Sequence, residues 1–259
     1  MKTIPVIIPY FCAEVELKKC LSALENQVYE PIDIFVRDNS VDNILFTAAI
    51  NEGLEKYSLN KDIDYILILN QDAYLQKETI NFLVKSMEAD ANCGIACPIQ
   101  ISEKDNSIYW GGGLDAFPFG RHKDGPLSAY TSDFDTYWAN GACMLLRVKM
   151  IREIGFLDKN MRFLCSDSDY SFTARSRGWK VKVVHQAHVY HSAGSSNSNA
   201  STFIDKIKKQ DAIYFAKKWL NGDLYRSLSY EGEKLTRMKI QTAIQNLESA
   251  LRSTNTRLV

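Results

Sequence analysis

The sequence predicts an α/β fold in which a mostly parallel central sheet is flanked by helices. Two observations carry this prediction. Apolar strand patterns alternate with amphipathic helix patterns through residues 3–98, and the pattern at Tyr65 to Leu69 is apolar on both faces of a strand. Alternation of strand and helix forms right-handed units that place successive strands parallel to one another.

Residues 1–98 form the first half of the predicted domain. We predict its strands at Thr3 to Pro9, Ile32 to Val36, Tyr65 to Leu69 and Gly94 to Pro98, and its helices at Glu14 to Leu24, Leu45 to Tyr57 and Lys77 to Ala89. The helices are assigned because apolar residues recur every three or four positions. The strands at Ile32 to Val36 and at Tyr65 to Leu69 end in polar residues, where α/β sheets place their ligands.

Residues 99–202 form the second half and differ in character. Ser107 to Thr136 is rich in Gly, Asp, Pro and aromatic residues, which favours short antiparallel strands and shaped loops. After it we predict strands at Ala142 to Arg147, Lys180 to Val184 and Ala187 to Tyr190, helices at Met150 to Ile154 and Ser168 to Ser176, and a loop at Ser192 to Ser201. Residues 1–202 thus form one predicted domain.

Residues 203–259 are predicted to be a helical extension. Its helices are expected at Phe203 to Trp219 and at about Glu233 to Leu251. Three interpretations of the last helix stay open: packing on the domain, pairing with a second subunit as a homodimer, and lying on a membrane surface as a peripheral contact.

Composition narrows the function classes. The 259 residues are 46% hydrophobic and 24% charged, as in soluble globular proteins. Lys and Arg total 31, as do Asp and Glu, so no overall charge favours nucleic acid. No apolar run approaches the roughly 20 residues that span a bilayer, and the N-terminal run is too short for a signal peptide. The six cysteines are expected to be reduced thiols.

Five acidic or histidine residues at strand ends or turns could carry chemistry: Asp38, Asp72, Asp167, Asp169 and His191. Asp72 directly follows the most apolar strand, where it could hold a divalent cation or only shape the turn before the next helix. His191 ends a strand and could ligate a metal or simply pack.

Asp167 lies at the start of a predicted helix. Free backbone N–H groups and the helix dipole there stabilise a carboxylate and are expected to keep it ionised. A fixed, ionised carboxylate suits a general base. The alternative is that Asp167 is an N-cap and Asp169 a first-turn acid that only stabilise the helix.

Four motifs in the same order resemble those of the family 2 glycosyltransferases, inverting enzymes with a GT-A fold. The opening IPVIIPYFCAEVELKKCLSALENQVYEPIDIFVRDNS is similar to the first βαβ unit of that family, and LILNQDAYL to its metal-binding strand end. ANGACMLLRVKMIREIGFLDKNMRFLCSDSDYSFTARSRGWKV resembles the acceptor and base region, and VYHSAGSS the closing histidine segment. Among subgroups, the motif forms look most like rhamnosyl- and galactofuranosyltransferases of surface polysaccharide synthesis.

The resemblance implies a role for each matching residue. Asp167 would be the catalytic base. The donor side would comprise Pro9, Tyr10, Asp38, Asn39, Gln71 and Asp72. The acceptor side would comprise Trp138, Asn140, Gly141 and Asp169. Asp72 and His191 would bind the cation, Mn²⁺ or Mg²⁺.

The implied activity is metal-assisted transfer of a sugar from a dTDP- or UDP-linked donor to a hydroxyl of a glycan or lipid-linked glycan. The implied location is the cytoplasm, either free in solution or at the inner face of the cell membrane. The alternative is a catalytically silent relative that binds a nucleotide sugar or glycan. A nucleotidyltransferase is disfavoured because the N-terminal strand is not followed by a Gly-rich, basic phosphate loop. Two positions differ from the usual motifs: amides precede Asp72, and Ser166 replaces the Glu before the base.

Overall fold

The computed structural model describes residues 1–114, 121–192, 202–219 and 237–256. Most of the predicted loop at Ser192 to Ser201, and the predicted start of the last helix at Glu233, lie outside these residues.

The secondary structure follows the predicted order. The strands are β1 (Ile4–Tyr10), β2 (Ile32–Asp38), β3 (Tyr65–Leu69), β4 (Ala73–Leu75), β5 (Cys93–Ser102), β6 (Ile108–Trp110), β7 (Phe134–Asp135), β8 (Cys143–Arg147) and β9 (Lys180–His191). The helices are α1 (Glu14–Glu25), α2 (Leu45–Ser58), α3 (Thr79–Ala89), α4 (Val148–Ile154), α5 (Ser166–Ser176), α6 (Thr202–Trp219) and α7 (Arg237–Thr256).

The strands form one mixed sheet with the order β2-β1-β3-β8-β5-β9-β4. The pairs β1–β2, β1–β3 and β5–β9 are parallel, whereas β8 runs antiparallel to β3 and β5. Five strands on this path therefore share one direction, and β8 and the edge strand β4 oppose them. This confirms the predicted mostly parallel sheet with a small antiparallel part.

The central strands are buried on both faces, as predicted. Ile7 and Ile68 belong to one hydrophobic cluster with α2, whereas Val6 and Leu67 belong to a second cluster with α1 and α3. Successive side chains point to opposite faces of a strand. The sheet is therefore the middle layer between helices, and only its edges leave polar groups accessible.

Two strand predictions were wrong in detail. The strands predicted at Lys180 to Val184 and Ala187 to Tyr190 are one strand, β9, whose register against β5 shifts between Pro98 and Ile99. A bulge of this kind interrupts the apolar pattern without ending the strand. Ala73–Leu75 is a separate strand, β4, which crosses to pair with the end of β9.

The C-terminal helices pack on the rest of the chain. Phe215 of α6, and Ile244 and Leu247 of α7, belong to the same hydrophobic cluster as Tyr170. One face of the last helix is thus used in packing, one of the three interpretations left open above. The domain boundary at residue 202 stays a prediction. In the described parts of the chain, no helix is long and apolar enough to cross a membrane.

Candidate active site

The predicted site residues collect at one edge of the sheet. Asp38 ends β2 opposite Tyr10, the end of the parallel strand β1. His191 ends β9 and pairs with Ala73, the residue after Asp72. The loop before β8 reaches the same edge, because antiparallel β8 begins opposite Leu69, the end of β3. The carboxyl edge of the parallel strands therefore holds the donor, metal and acceptor candidates.

Asp72 and His191 face each other in a largely buried position. The imidazole Nε2 lies 3.4 Å from Asp72 Oδ1. The two residues are 4% and 8% exposed. The backbone fixes the pair, because Ser192 N–H donates to the Asp72 carbonyl at 3.0 Å.

Gln100 of β5 orients the imidazole. Its Oε1 lies 3.2 Å from His191 Nδ1, so in the tautomer with a proton on Nδ1 this nitrogen donates to Oε1. In that tautomer Nε2 has a lone pair directed at Asp72, 3.4 Å away, so the two side chains together can bind a cation. Such an outer hydrogen bond is typical of metal-binding histidines.

The donor set fits Mn²⁺ or Mg²⁺ as a partial site. One carboxylate oxygen and one imidazole nitrogen suit these ions. Among the described residues, no group of three His, Cys, Asp or Glu side chains could hold a metal by itself. The remaining ligands would have to come from a substrate and from water.

Asp38, Asn39 and Gln71 lie together at the ends of β1 to β3. Asp38 is exposed, and Ser40 donates its N–H to Asp38 Oδ1 at 2.8 Å. Hydrogen bonding from Ser40 lowers the pKa of the Asp38 carboxyl. Asn39 is buried and donates its N–H to the Tyr10 carbonyl at 2.7 Å. Only Asp38 of these three therefore presents a polar side chain to solvent.

The Gln71 side chain braces the end of β1. Its Oε1 accepts the Phe11 N–H at 2.7 Å, and its Nε2 donates to the Phe11 carbonyl at 3.3 Å. Pro9 and Tyr10, which precede Phe11, are partly exposed at the same place. Gln71 thus holds the backbone that leads away from Pro9 and Tyr10, and its predicted contact with a donor stays a prediction.

Asp167 is held by backbone groups on both sides. Its Oδ2 accepts the Gly141 N–H at 2.8 Å, and its Oδ1 accepts the Ser168 N–H at 2.7 Å. Helix α5 begins at Ser166 with Cys165 as its N-cap residue, so Asp167 is not the N-cap. Each carboxylate oxygen keeps further lone-pair capacity.

Burial raises the pKa of the Asp167 carboxyl, although the hydrogen bonds from Gly141 and Ser168 lower it. Desolvation of the carboxylate has the larger effect, and the expectation that Asp167 is ionised near neutrality stays a prediction. A carboxylate with a raised pKa binds a proton more readily, which favours a general base.

The segment before β8 connects Asp167 to the end of β3. Gly141 donates to Asp167, and Asn70 N–H donates to the Ala142 carbonyl at 2.9 Å. The Asn140 side chain accepts the Ala142 N–H at 3.0 Å and so fixes its own turn. One short turn therefore links Asp167 to the segment that carries Asp72.

Trp138 is nearly fully buried, at 3% exposed. Its ring lies 5.4 Å from the His122 ring and 6.0 Å from the Trp110 ring, measured between centroids. Its Nε1 has no hydrogen-bond partner within the described part of the chain. Trp138 thus lies behind the surface of the site, and its contact with an acceptor stays a prediction.

Asp169 faces helix α6 instead of the turn at Gly141. Trp219 Nε1 donates to Asp169 Oδ1 at 2.6 Å, and Lys218 Nζ lies 2.8 Å from the same oxygen. Burial raises the pKa of the Asp169 carboxyl, and Lys218 partly offsets this. These contacts attach α6 to α5, the helix that carries both Asp167 and Asp169.

Asp211 is a residue to which the sequence assigns no role. It is fully buried on α6, and its Oδ2 accepts the N–H groups of Phe163 and Leu164 at 2.7 and 2.9 Å. These residues form the turn before Asp167. Asp211 lies between Ile207 and Phe215 at helical spacing on the buried face of α6. An acidic residue within an apolar helix face is rarely buried without a partner, and this pattern in the sequence could have identified Asp211.

The solved structures that resemble this chain share its fold. GalNAc-T7, crystallised with UDP, GalNAc and Mn²⁺, has a TM-score of 0.60 at 11% identity, covering 95% of this chain and 55% of that one. TarS of S. aureus has a TM-score of 0.57 at 12% identity, covering 88% of this chain and 41% of that one. This chain thus spans about half the length of these proteins or less.

No curated protein matches the sequence. The profile described as glycosyl transferase family group 2 matches residues 65–253, well over half of the chain. The match includes Asp72, Asp167 and His191 at the carboxyl edge of the sheet. The chain belongs to glycosyl transferase family group 2 and has the GT-A-like fold of glycosyltransferases.

Proposed function

We propose that this glycosyltransferase moves a sugar from a UDP- or dTDP-linked donor to a hydroxyl of a glycan or lipid-linked glycan, with inversion and assisted by a divalent cation. The observation that carries the proposal is the position of Asp167. Its carboxylate is held by two backbone N–H groups, and its pKa is raised by burial. It lies beside the turn that hydrogen-bonds to the end of the strand preceding Asp72.

The nucleotide would bind at the ends of β1 and β2. Asp38 is exposed there and is oriented by Ser40, so its carboxylate can accept the N3–H of a uracil or thymine base. Pro9 and Tyr10, on the adjoining strand, would line the base pocket. The likeness of the motifs to rhamnosyl- and galactofuranosyltransferases makes those sugars the first donors to test.

Asp72 and His191 would hold the cation. A divalent cation supplies Lewis-acid stabilisation of the negative charge on the departing diphosphate. Support comes from the 3.4 Å contact of these two residues and from the Mn²⁺ in the GalNAc-T7 structure.

Asp167 would act on the acceptor. Its carboxylate takes the proton of the acceptor hydroxyl as that oxygen forms a bond to the anomeric carbon. The bond from that carbon to the diphosphate oxygen breaks, and the diphosphate keeps the electron pair. Attack from the face opposite the leaving group inverts the configuration of the anomeric carbon. In an inverting glycosidase, a carboxylate base activates a water molecule for attack from the opposite face in the same way.

The setting of the reaction is also a proposal. We place the reaction in the cytoplasm, with a lipid-linked acceptor bringing the enzyme to the inner face of the membrane. A homodimer through the C-terminal helices stays a prediction.

The Asp167→Asn variant tests the proposal. Asparagine removes the base, so transfer should fall by at least about 10²-fold, while the Kd for UDP or dTDP with Mn²⁺ changes less than about twofold. Asn cannot accept from both Gly141 and Ser168, so the unfolding midpoint is measured in parallel. Asp158→Asn, which loses a partner of Lys218 on α6, is the control. Transfer at the parent rate would remove Asp167 from its role, and nucleotide binding without any transfer by the parent would favour a silent sugar-binding relative.

A further inference from the structure

Tyr109 is an exposed aromatic residue beside the Asp72–His191 pair. It is the middle residue of β6, where Trp110 is fully buried and Tyr109 is 39% exposed. The alternation of a strand places these neighbours on opposite faces. Tyr109 therefore presents part of its ring to solvent next to the active-site edge of the sheet, where His191 ends β9.

The Tyr109 ring contacts His191, one of the two residues assigned to the cation. Its centroid lies 5.3 Å from that of His191, with the rings nearly perpendicular at 85°. Burial and, to a smaller degree, the negative charge of Asp72 raise the pKa of Tyr109. The ring therefore lies against His191, on the side of the site where Asp72 and His191 meet.

His122 fixes the ring from another direction. Its centroid lies 5.5 Å from that of Tyr109 at an interplanar angle of 74°, and its Nδ1 donates to the Tyr109 carbonyl at 3.0 Å. Two edge-to-face contacts restrain an aromatic side chain. The Tyr109 ring is therefore already held in place before any ligand binds, which lowers the entropic cost of a contact.

The glycine run after Trp110 makes this arrangement sterically feasible. A Cβ on Gly113 would lie 2.4 Å from Trp138 Nε1, and Gly112 has a φ of +131°. Gly113 also bridges to His122. The Trp-Gly-Gly-Gly motif thus lets β6 turn back closely enough for His122 and Trp138 to support Tyr109.

We propose that Tyr109 is the stacking surface for the sugar ring of the donor, and therefore a determinant of donor specificity; this rests on the proposed function. The sugar is bonded directly to the phosphate that the Asp72–His191 pair would hold through the cation, so its ring would lie on the same side of the site as Tyr109. Aldose rings have a face of C–H groups that packs on aromatic rings, whereas free nucleoside diphosphates have no such group at this end. Ligand pockets combine aromatic walls with a few placed polar groups in this way.

The proposal is tested by comparing nucleotides with and without the sugar. Isothermal calorimetry with Mn²⁺ measures UDP against UDP-galactose, and dTDP against dTDP-rhamnose. Tyr109→Ala should weaken binding of the nucleotide sugar about three- to tenfold more than binding of the nucleoside diphosphate, the range of one aromatic contact. Tyr109→Phe keeps the ring and should retain parent affinity for both. Phe156→Ala is the control, because Phe156 is similarly exposed at 41%.

Each other outcome counts against the proposal. Equal weakening of both ligands would mean that Tyr109 only supports the Asp72–His191 pair. No change in either ligand would mean that the ring does not contact the sugar. If the parent protein binds neither nucleotide nor nucleotide sugar, the proposed function fails and this inference fails with it.

Discussion

Asp211 gives the sharpest test of how the fold holds the turn before Asp167. Its Oδ2 is the acceptor for two backbone N–H groups, those of Phe163 and Leu164, and the side chain is fully buried. Asp211→Ala removes that acceptor. Each N–H left without a partner costs about 1–3 kcal/mol, and relief of the buried carboxylate offsets part of this. We expect the free energy of unfolding to fall by about 2–4 kcal/mol.

Asp211→Asn separates the hydrogen bonds from the charge. The amide oxygen can keep both hydrogen bonds, so the loss should be within about 1 kcal/mol. Burial raises the pKa of Asp211 in the folded state. The protonated carboxyl therefore stabilises the fold below the unfolded pKa of about 3.9, and this contribution is lost as the pH rises through the folded pKa. Relative to the parent, the Asn variant should gain stability from about pH 4 to pH 7.

Urea unfolding across this pH range measures these effects. Asp205→Ala is the matched control, because Asp205 is on the same helix, is exposed, and pairs only at the surface with Lys209. Its effect should stay within about 0.5 kcal/mol. Asp211→Ala with parent stability would refute the reasoning, as would an Asn variant as unstable as the Ala variant.

Two further predictions concern the site itself. Gly141→Ala places a Cβ 3.3 Å from Asp167 Oδ2 and 3.2 Å from Phe46, so it should shift the carboxylate by a few tenths of an ångström. Steady-state kinetics should show that kcat falls about three- to tenfold. An unchanged kcat would show that the position of Asp167 is not critical. His191→Ala should raise the Mn²⁺ concentration for half-maximal activity at least about tenfold, measured by titration against a His188→Ala control, and an unchanged titration would exclude His191 as a ligand.

The fold was predictable because its signals are local. The helix and strand patterns from Thr3 to Leu69 were predicted correctly, and the run at Tyr65 to Leu69 required a strand buried on both faces. The separate strand β4 could not be predicted, because it depends on the pairing of Ala73 with His191. The continuity of β9 could not be predicted either, because it depends on the pairing of β9 with β5. Periodicity carries no information about such pairing.

The site was predictable to the level of position but not of partners. The sequence indicated that Asp72 follows a strand, that His191 ends a strand and that Asp167 lies at the start of a helix. Parallel strands bring such positions to one edge of the sheet. The sequence could not show that the Gln71 side chain forms a hydrogen bond with the Phe11 backbone, or that Asp169 forms an ion pair with Lys218. Those contacts depend on tertiary neighbours, as does the desolvation that raises the pKa of Asp167.

The anomeric configuration of the product tests the central claim most directly. If Asp167 activates the acceptor hydroxyl for a single displacement, proton NMR of a fresh reaction mixture should show the transferred sugar with the configuration opposite to that in the donor. A product with the donor's configuration would require a second displacement or another mechanism, and would contradict the role given to Asp167.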